Sequence, residues 1–298
     1  MRTDPSCVEC FIRQGADVSL LLPEGEARDL LRRKVQRWAD EVDLSNPPVA
    51  AAQDIHRMLR ELIGDPDPYR SPKRVFNALM LEVLPELRTM IARAPDRLLA
   101  ATRLAIAANI IDFGPTGSLT PLDALHALRG VLDEPFHADW ESFVAALATS
   151  KRILYLTDNA GEIVVDRLLI EALGPSRVTV AVRGGPVIND ATLRDAQEAG
   201  LDRLVKVIDN GSDAPGTLLA NCSAEFRDRF DAADLIIAKG QGNFEALNEI
   251  DRPLFFLFKV KCATVARYVG LPTGTHVLLD AARWRSTTRS SGISSRHR

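Results

Sequence analysis

Ile153-Leu154-Tyr155-Leu156-Thr157-Asp158-Asn159-Ala160-Gly161-Glu162-Ile163-Val164-Val165-Asp166 holds a short apolar run, a polar turn with one glycine, and the start of a second apolar segment. The first run has the length of a buried strand, and the apolar spacing from Ile163 to Leu173 predicts a helix. In a parallel α/β sheet, the turn at the carboxyl end of a strand is where ligands bind. Asp158, Asn159 and Glu162 also put three oxygen-bearing side chains within five residues, a set that can coordinate a hard cation.

Outward from this turn, the pattern has two halves. From Lys151 onward, short β-rich runs alternate with helical ones. Strands are predicted at 152–157, 177–182, 203–208, 234–238, 254–259 and 275–279. Helices are predicted near 161–173, 191–199, 217–231, 243–249 and 262–269. Such alternation implies a mostly parallel sheet with helices on both faces. Before Lys151 the periodicity is helical throughout, with segments at roughly 24–43, 49–63, 71–93, 96–111, 121–132 and 137–148. The expected organisation is an all-helical subdomain over 1–150, an α/β domain over 151–279 and a basic tail over 280–298 without fixed structure.

Composition narrows the function classes. The chain has 298 residues, 46% hydrophobic and 26% charged, as in a soluble globular protein. No run of about 18 apolar residues exists, so no membrane span is expected. The first residues lack the apolar core of a signal peptide, so a cytoplasmic location is expected. Net charge is −3, and residues 281–298 hold five Arg and no acid, which leaves the remainder near −8. An acidic body argues against nucleic acid as a partner. Four scattered cysteines, Cys7, Cys10, Cys222 and Cys262, suit a reducing compartment.

Polar residues gather where the strands should end. Asp158, Asn159 and Glu162 follow the first strand, and Arg183 to Asp190 the second. Asp209 to Thr217 follow the third, Lys239 to Glu245 the fourth, and Lys259 to Cys262 the fifth. Each loop alone reads as ordinary turn chemistry. Five on one edge of a parallel sheet converge on one crevice. Asn109 and Asp112, three apart on one helix face, form either a capped helix end or a polar pair facing that crevice.

Several chemistries are disfavoured. The P-loop pattern is absent, and Gly240-Gln241-Gly242 lacks the third glycine of the dinucleotide fingerprint. Ala160 stands where an aspartyl-phosphate phosphatase of the haloacid dehalogenase type would carry its second Asp. None of the five histidines falls in the loops. What remains is an oxygen-rich site suited to Mg²⁺ or Mn²⁺, with lysine and helix-start amides suited to phosphate. A metal that both polarises a phosphoryl oxygen and activates water gives phosphate-ester hydrolysis.

The motifs resemble a known family. Asp158 to Asp166, Pro186-Val187-Ile188-Asn189-Asp190-Ala191-Thr192 and Lys239-Gly240-Gln241-Gly242-Asn243-Phe244-Glu245 look like signatures of the metal-dependent damage-control phosphatases. These are also labelled ARMT1-like and were long called a domain of unknown function. The likeness extends to Cys7-Val8-Glu9-Cys10, Asn109-Ile110-Ile111-Asp112, Ser212 to Thr217 and Lys259-Val260-Lys261-Cys262, and covers about residues 5–279. The Cys-x-x-Cys pair resembles the prokaryotic branch.

The resemblance implies a helical N-terminal subdomain, or cap, over a Rossmann-like α/β/α domain. It implies hydrolysis of small phosphorylated metabolites, sugar phosphates or damaged phosphometabolites, with Mn²⁺, Co²⁺, Ni²⁺ or Mg²⁺. By the family pattern, Asp158, Asn159 and Asp190 would be catalytic and hold the metal. Lys261 and the loop residues Gln241, Gly242, Asn243 and Glu245 would hold substrate, with Asn109, Glu162 and Arg183 as further contacts. Cys7, Cys10 and Cys262 are either structural thiols or a second metal or redox site. Two other readings stay open: an S-adenosylmethionine-dependent protein carboxyl methyltransferase, which a single glycine after the first strand counts against, and a non-catalytic metabolite-binding protein.

Overall fold

The computed structural model describes residues 1–110 and 120–290. Thirteen α-helices lie in these residues: α1 Ser6–Ser19, α2 Glu26–Glu41, α3 Pro48–Ile63, α4 Arg70–Arg93, α5 Arg97–Ala107, α6 Pro121–Gly130, α7 Trp140–Thr149, α8 Glu162–Leu173, α9 Leu193–Glu198, α10 Ala224–Ala232, α11 Gln241–Leu247, α12 Ala263–Val269 and α13 Ala281–Ser290. Seven strands accompany them: β1 Phe136–Ala138, β2 Ile153–Leu156, β3 Val178–Val182, β4 Lys206–Asp209, β5 Leu235–Lys239, β6 Leu254–Lys259 and β7 His276–Asp280. They form one sheet in the order β1-β7-β6-β5-β2-β3-β4. All pairs are parallel except β6 with β7.

The central strands bury both faces, which is why they read as unbroken apolar runs. Ile153 and Tyr155 of β2 face a core shared with α4, α5, α7 and α8, while Leu154 and Leu156 face the opposite core with α10 and α11. Leu235 and Ile237 of β5 split from Ile236 and Ala238 in the same way. The first of these cores runs across residue 150: Phe76, Met80, Leu104, Ala105 and Phe143 pack with strand residues of the α/β half. Only α1, α2 and α3 have a core of their own, built on Phe11, Leu31, Val35, Ile55 and Leu59.

Two expectations need correction. The segment expected as helix from residue 137 begins instead with β1, which pairs with β7. Three residues are too few to show a period, and the partner strand lies far along the chain. The tail expected to lack structure forms α13 over its first ten residues. Trp284 packs against Phe244 and Tyr268, with ring centroids 5.5 and 5.4 Å apart. Arg285 donates to the Ile250 carbonyl at 2.6 Å and pairs with Asp251 at 3.0 Å. Ser, Thr and Arg content hid a helix anchored by one aromatic and one buried arginine.

The small helical unit docks through Asp213. Gln53 Nε2 donates to it at 2.6 Å and Arg57 Nε at 2.9 Å, and Arg60 pairs with it too. Burial works to raise the Asp213 pKa, but Arg57, Gln53 and Arg60 outweigh it and bring it down to about 2. His56, also on α3, is only 1% exposed. Burial, with the charge of Arg60 adding to it, pushes its pKa down to about 3. The unfolded imidazole takes its proton near the ordinary 6.5, whereas the folded one refuses it. Stability from this residue is therefore full above that value and falls as pH drops towards 3, by about 1.4 kcal/mol per unit. Urea unfolding should lose about 2 kcal/mol between pH 6.5 and pH 5 on this account, and His56→Gln should flatten that loss.

Candidate active site at the carboxyl edge of the sheet

The sheet reverses direction at β2. The chain passes from β2 outward through β3 to β4, then returns to the other side of β2 at β5. Ligand crevices in open α/β sheets form outside the carboxyl ends of the strands at such a switch point. The turn after β2 and the end of β5 supply Asp158 and Lys239, and both loops need a glycine there. Gly161, at φ 75°, opens α8, and a Cβ on it would collide with the Phe76 ring. Gly240, at φ 80°, has no room for a Cβ because the Asp158 carboxylate occupies that space.

A short antiparallel bridge sets Asn159 opposite Asp190. Ala160 N donates to Asn189 O, and Ala191 N donates to Asp158 O, both at 2.8 Å. This locks the two carboxylate-bearing loops side by side. Ile188, two residues before Asp190, sits at φ 43°, a strained backbone for a β-branched residue. Arg60 holds that loop by donating to the Pro186 carbonyl at 2.7 Å.

Asp158 is 8% exposed and Asp190 is buried. Asn109 Nδ2 donates to Asp158 Oδ2 at 2.6 Å and to Glu162 Oε2 at 2.8 Å, and Asn159 Nδ2 donates to the same two oxygens at 2.8 and 3.1 Å. Both amides thus turn their Nδ2 groups to carboxyl oxygens of Asp158 and Glu162. Arg183 Nε donates to Asp190 Oδ2 at 2.7 Å, and its Nη2 lies 3.8 Å from Asp158 Oδ1. Burial pushes the Asp190 pKa up to about 7; Arg183 opposes the rise and the charge of Asp158 adds to it. Two buried atoms here have no hydrogen-bond partner among the described residues: Asn109 Oδ1, an acceptor, and Arg183 Nη2, a donor.

A charged network lies beneath. Lys239 Nζ donates to Glu162 Oε1 and Asp166 Oδ1 at 2.6 Å each and to the Ala105 carbonyl at 2.8 Å. Tyr155 OH donates to Asp166 Oδ1 at 2.8 Å. All four side chains are fully buried. Burial pushes the Glu162 pKa up to about 8, with Lys239 pulling it down and Asp158 and Asp166 pushing it up. Burial works against the Lys239 charge, but Asp166 and Glu162 outweigh it and raise its pKa.

Residues 3–277 match the damage-control phosphatase ARMT1-like domain. The chain belongs to that family. A damage-control phosphatase of Pyrococcus horikoshii is 33% identical over 288 residues, covering 94% of this chain and 98% of the relative. A damage-control phosphatase of Archaeoglobus fulgidus is 31% identical over 286 residues, covering 93% and 98%. An uncharacterized protein of Methanocaldococcus jannaschii is 35% identical over 292 residues, covering 94% and 95%. The crystal structure of the Pyrococcus DUF89 family protein superposes with a TM-score of 0.82, covering 94% of this chain and 99% of that one. These relatives support a phosphatase role in general.

Within the damage-control phosphatase frame, the predicted residues fall into two groups. Asp158, Asn159, Asp190, Asn109, Glu162 and Arg183 form one cluster. Asn243 joins it from below: its Oδ1 accepts from Thr217 Oγ1 at 2.8 Å and Arg183 Nη1 at 3.3 Å, and its Nδ2 donates to the Lys239 carbonyl at 2.8 Å. This amide is committed to holding Arg183. The second group ties loops together. Gln241 Oε1 accepts from Lys261 N at 2.9 Å, and its Nε2 donates to Glu245 Oε1 at 2.8 Å and lies 3.7 Å from Cys262 Sγ. Gly242 lets the backbone pass the Pro215 carbonyl, and burial pushes the Glu245 pKa up to about 7. The Lys261 side chain is exposed. All four cysteines are free, and among the described residues no three His, Cys, Asp or Glu side chains are grouped to hold a metal. Asp112 lies outside the described residues.

Sequence reasoning placed Lys239 in the fourth polar loop and Asp166 at the end of the first motif but gave neither a role, and it missed Tyr155. Their signal was present: a lysine ends an otherwise apolar strand, and an aspartate interrupts the apolar run of α8. It also missed Asn77, whose Oδ1 accepts from Gly161 N at 2.7 Å and so holds the turn from α4. Gly240→Ala should displace the Asp158 carboxylate. A misplacement on the order of 1 Å costs about 10²-fold in rate, so kcat/KM should fall by about that factor while the chain stays folded.

Proposed function

We propose that this chain is a metal-dependent phosphomonoesterase acting on small phosphorylated metabolites, such as sugar phosphates or damaged phosphometabolites. The observation that carries the reading is a pair of buried atoms of opposite character beside Asp158 that make no hydrogen bond among the described residues. Asn109 Oδ1 offers a lone pair where a cation is wanted, and Arg183 Nη2 offers a proton where an anion is wanted. A site for a metal and a phosphoryl group needs both.

The donor set fits a hard or borderline divalent cation. Asp158, Asn159 and Asp190 would hold it, with Mn²⁺, Co²⁺, Ni²⁺ and Mg²⁺ as candidates. Their loops are already bridged, so the two carboxylates cannot part to relieve their repulsion. Once bound, such an ion polarises a phosphoryl oxygen and makes water a better nucleophile. Arg183, fixed by Asp190, Thr217 and Asn243, presents its Nη2 to the phosphoryl oxygens. Asn109 and Glu162 orient Asp158 and Asn159. Lys239 opposes the rise in the Glu162 pKa and holds its carboxyl in place from beneath.

A panel of phosphorylated metabolites, assayed for phosphate release with each of the four metals and with chelator, tests the proposal. Release that requires a metal is expected. Silence across the panel with every metal would leave a binding protein as the better reading. Heat of S-adenosylmethionine binding in the presence of chelator would instead favour the methyltransferase.

A further inference from the structure

The opposite edge of the sheet carries a groove of about 560 Å³, within the usual range for a small-molecule site. It runs under the amino ends of β2, β3 and β4, roughly 13 Å from the crevice for a four-residue strand. Six cations line it, Lys151, Arg152, Arg177, Arg203, Lys206 and Arg229, against one acid, Asp202. That is a concentration of positive charge on a body whose net charge is negative.

Three of the six have structural duties. Arg177 donates to the carbonyls of Leu173, Leu147 and Ser150 at 2.7, 2.6 and 2.9 Å, finishing two helix ends. Arg152 pairs with Asp234 at 2.8 Å, and Arg229 with Glu225 at 3.2 Å. The side chains of Lys151, Arg203 and Lys206 are exposed and make no hydrogen bond or ion pair among the described residues. Lys206 lies on the outer strand β4, where a lysine also discourages edge-to-edge pairing. That role does not account for Lys151, at the foot of a central strand, or for Arg203. Pro175, Leu204 and Ala232 give the groove accessible apolar surface above the buried Ile153 and Val178.

From this juxtaposition we propose that the groove binds a pyrophosphate-bearing small molecule of the nucleoside diphosphate class, at a site separate from the strand-end crevice. The three unpaired cations match the adjacent phosphates, and the apolar surface of Pro175, Leu204 and Ala232 accepts the flat ring. Arginine and lysine together suit such a group, one by its planar fork and the other as a point charge.

Calorimetric titration of the full chain with ADP, and separately with inorganic pyrophosphate, tests this in chelator so that no metal draws phosphate to the crevice. Saturable ADP binding is expected, weakening with added salt. The triple variant Lys151→Glu, Arg203→Glu, Lys206→Glu should weaken it at least tenfold and leave phosphate release at the crevice within twofold of the parent. Hydrogen exchange on the unaltered chain gives a second readout if that variant fails to fold. ADP should slow exchange at 151–154 and 203–206. No binding, binding that the charge reversals leave intact, or slowing at 157–162 instead would overturn the assignment. Pyrophosphate binding as tightly as ADP would remove the nucleoside from it.

Discussion

Asp158→Ala should lower metal-dependent phosphate release by on the order of 10³-fold and leave the fold intact. Both halves follow from the contacts of this carboxylate. It is the group that Asn109, Asn159 and Arg183 all address, and at 8% exposed it is the less deeply buried of the Asp158 and Asp190 pair. Removing it takes away half the negative charge that would hold a cation. Stability should change little, because the amides it accepts from keep a second partner. Asn109 Nδ2 still reaches Glu162 at 2.8 Å, and Asn159 Nδ2 reaches it at 3.1 Å. Loss of a like charge also relieves Asp190 and Glu162. Steady-state assays with Mn²⁺ beside thermal melts would separate the two effects. Parent-level turnover in the variant would remove Asp158 from the catalytic role, and a collapsed melt would show that the carboxylate is structural.

Lys239→Met should be the costliest single change to stability, at about 3–5 kcal/mol. Methionine fills similar volume, so the loss is electrostatic rather than a cavity. Two buried carboxylates, Glu162 and Asp166, would lose their shared cation, and the Ala105 carbonyl would lose its donor. Tyr155→Phe is the matched comparison: it removes one neutral donor from Asp166 and should cost about 1–3 kcal/mol. Urea midpoints of the two variants should rank in that order. A Lys239→Met midpoint at or above that of Tyr155→Phe would mean the network holds its charges some other way.

The fold was legible in the sequence where strands are buried on both faces. Unbroken runs such as Leu235–Lys239 and Leu254–Lys259 have one reading in an alternating βα pattern, and the five parallel carboxyl ends followed from it. The antiparallel turn of β7 against β6 and the short β1 were not legible, since pairing direction and a three-residue strand leave no periodic trace. In the site, loop residues with oxygen side chains were visible because turns expose them. Lys239 and Asp166 were hidden by their apolar neighbours, and their meaning appears only when two elements distant in sequence come together. The family pattern assigns Asn243 and Gln241 to substrate, and no local trace in the sequence shows that their side-chain hydrogen bonds run to other parts of the scaffold.

The separate core of α1 to α3 divides the helical half unequally. Helices α4 and α5 are part of the sheet's own packing and carry Asn77 and Asn109 into the site, so they cannot drift in sequence without disturbing the reaction. The first three helices meet the rest mainly through α3, whose Gln53, Arg57 and Arg60 hold Asp213 and whose Arg60 also holds the Pro186 carbonyl, so α1 and α2 are the helices free of that constraint. Divergence among relatives should therefore concentrate in α1 and α2.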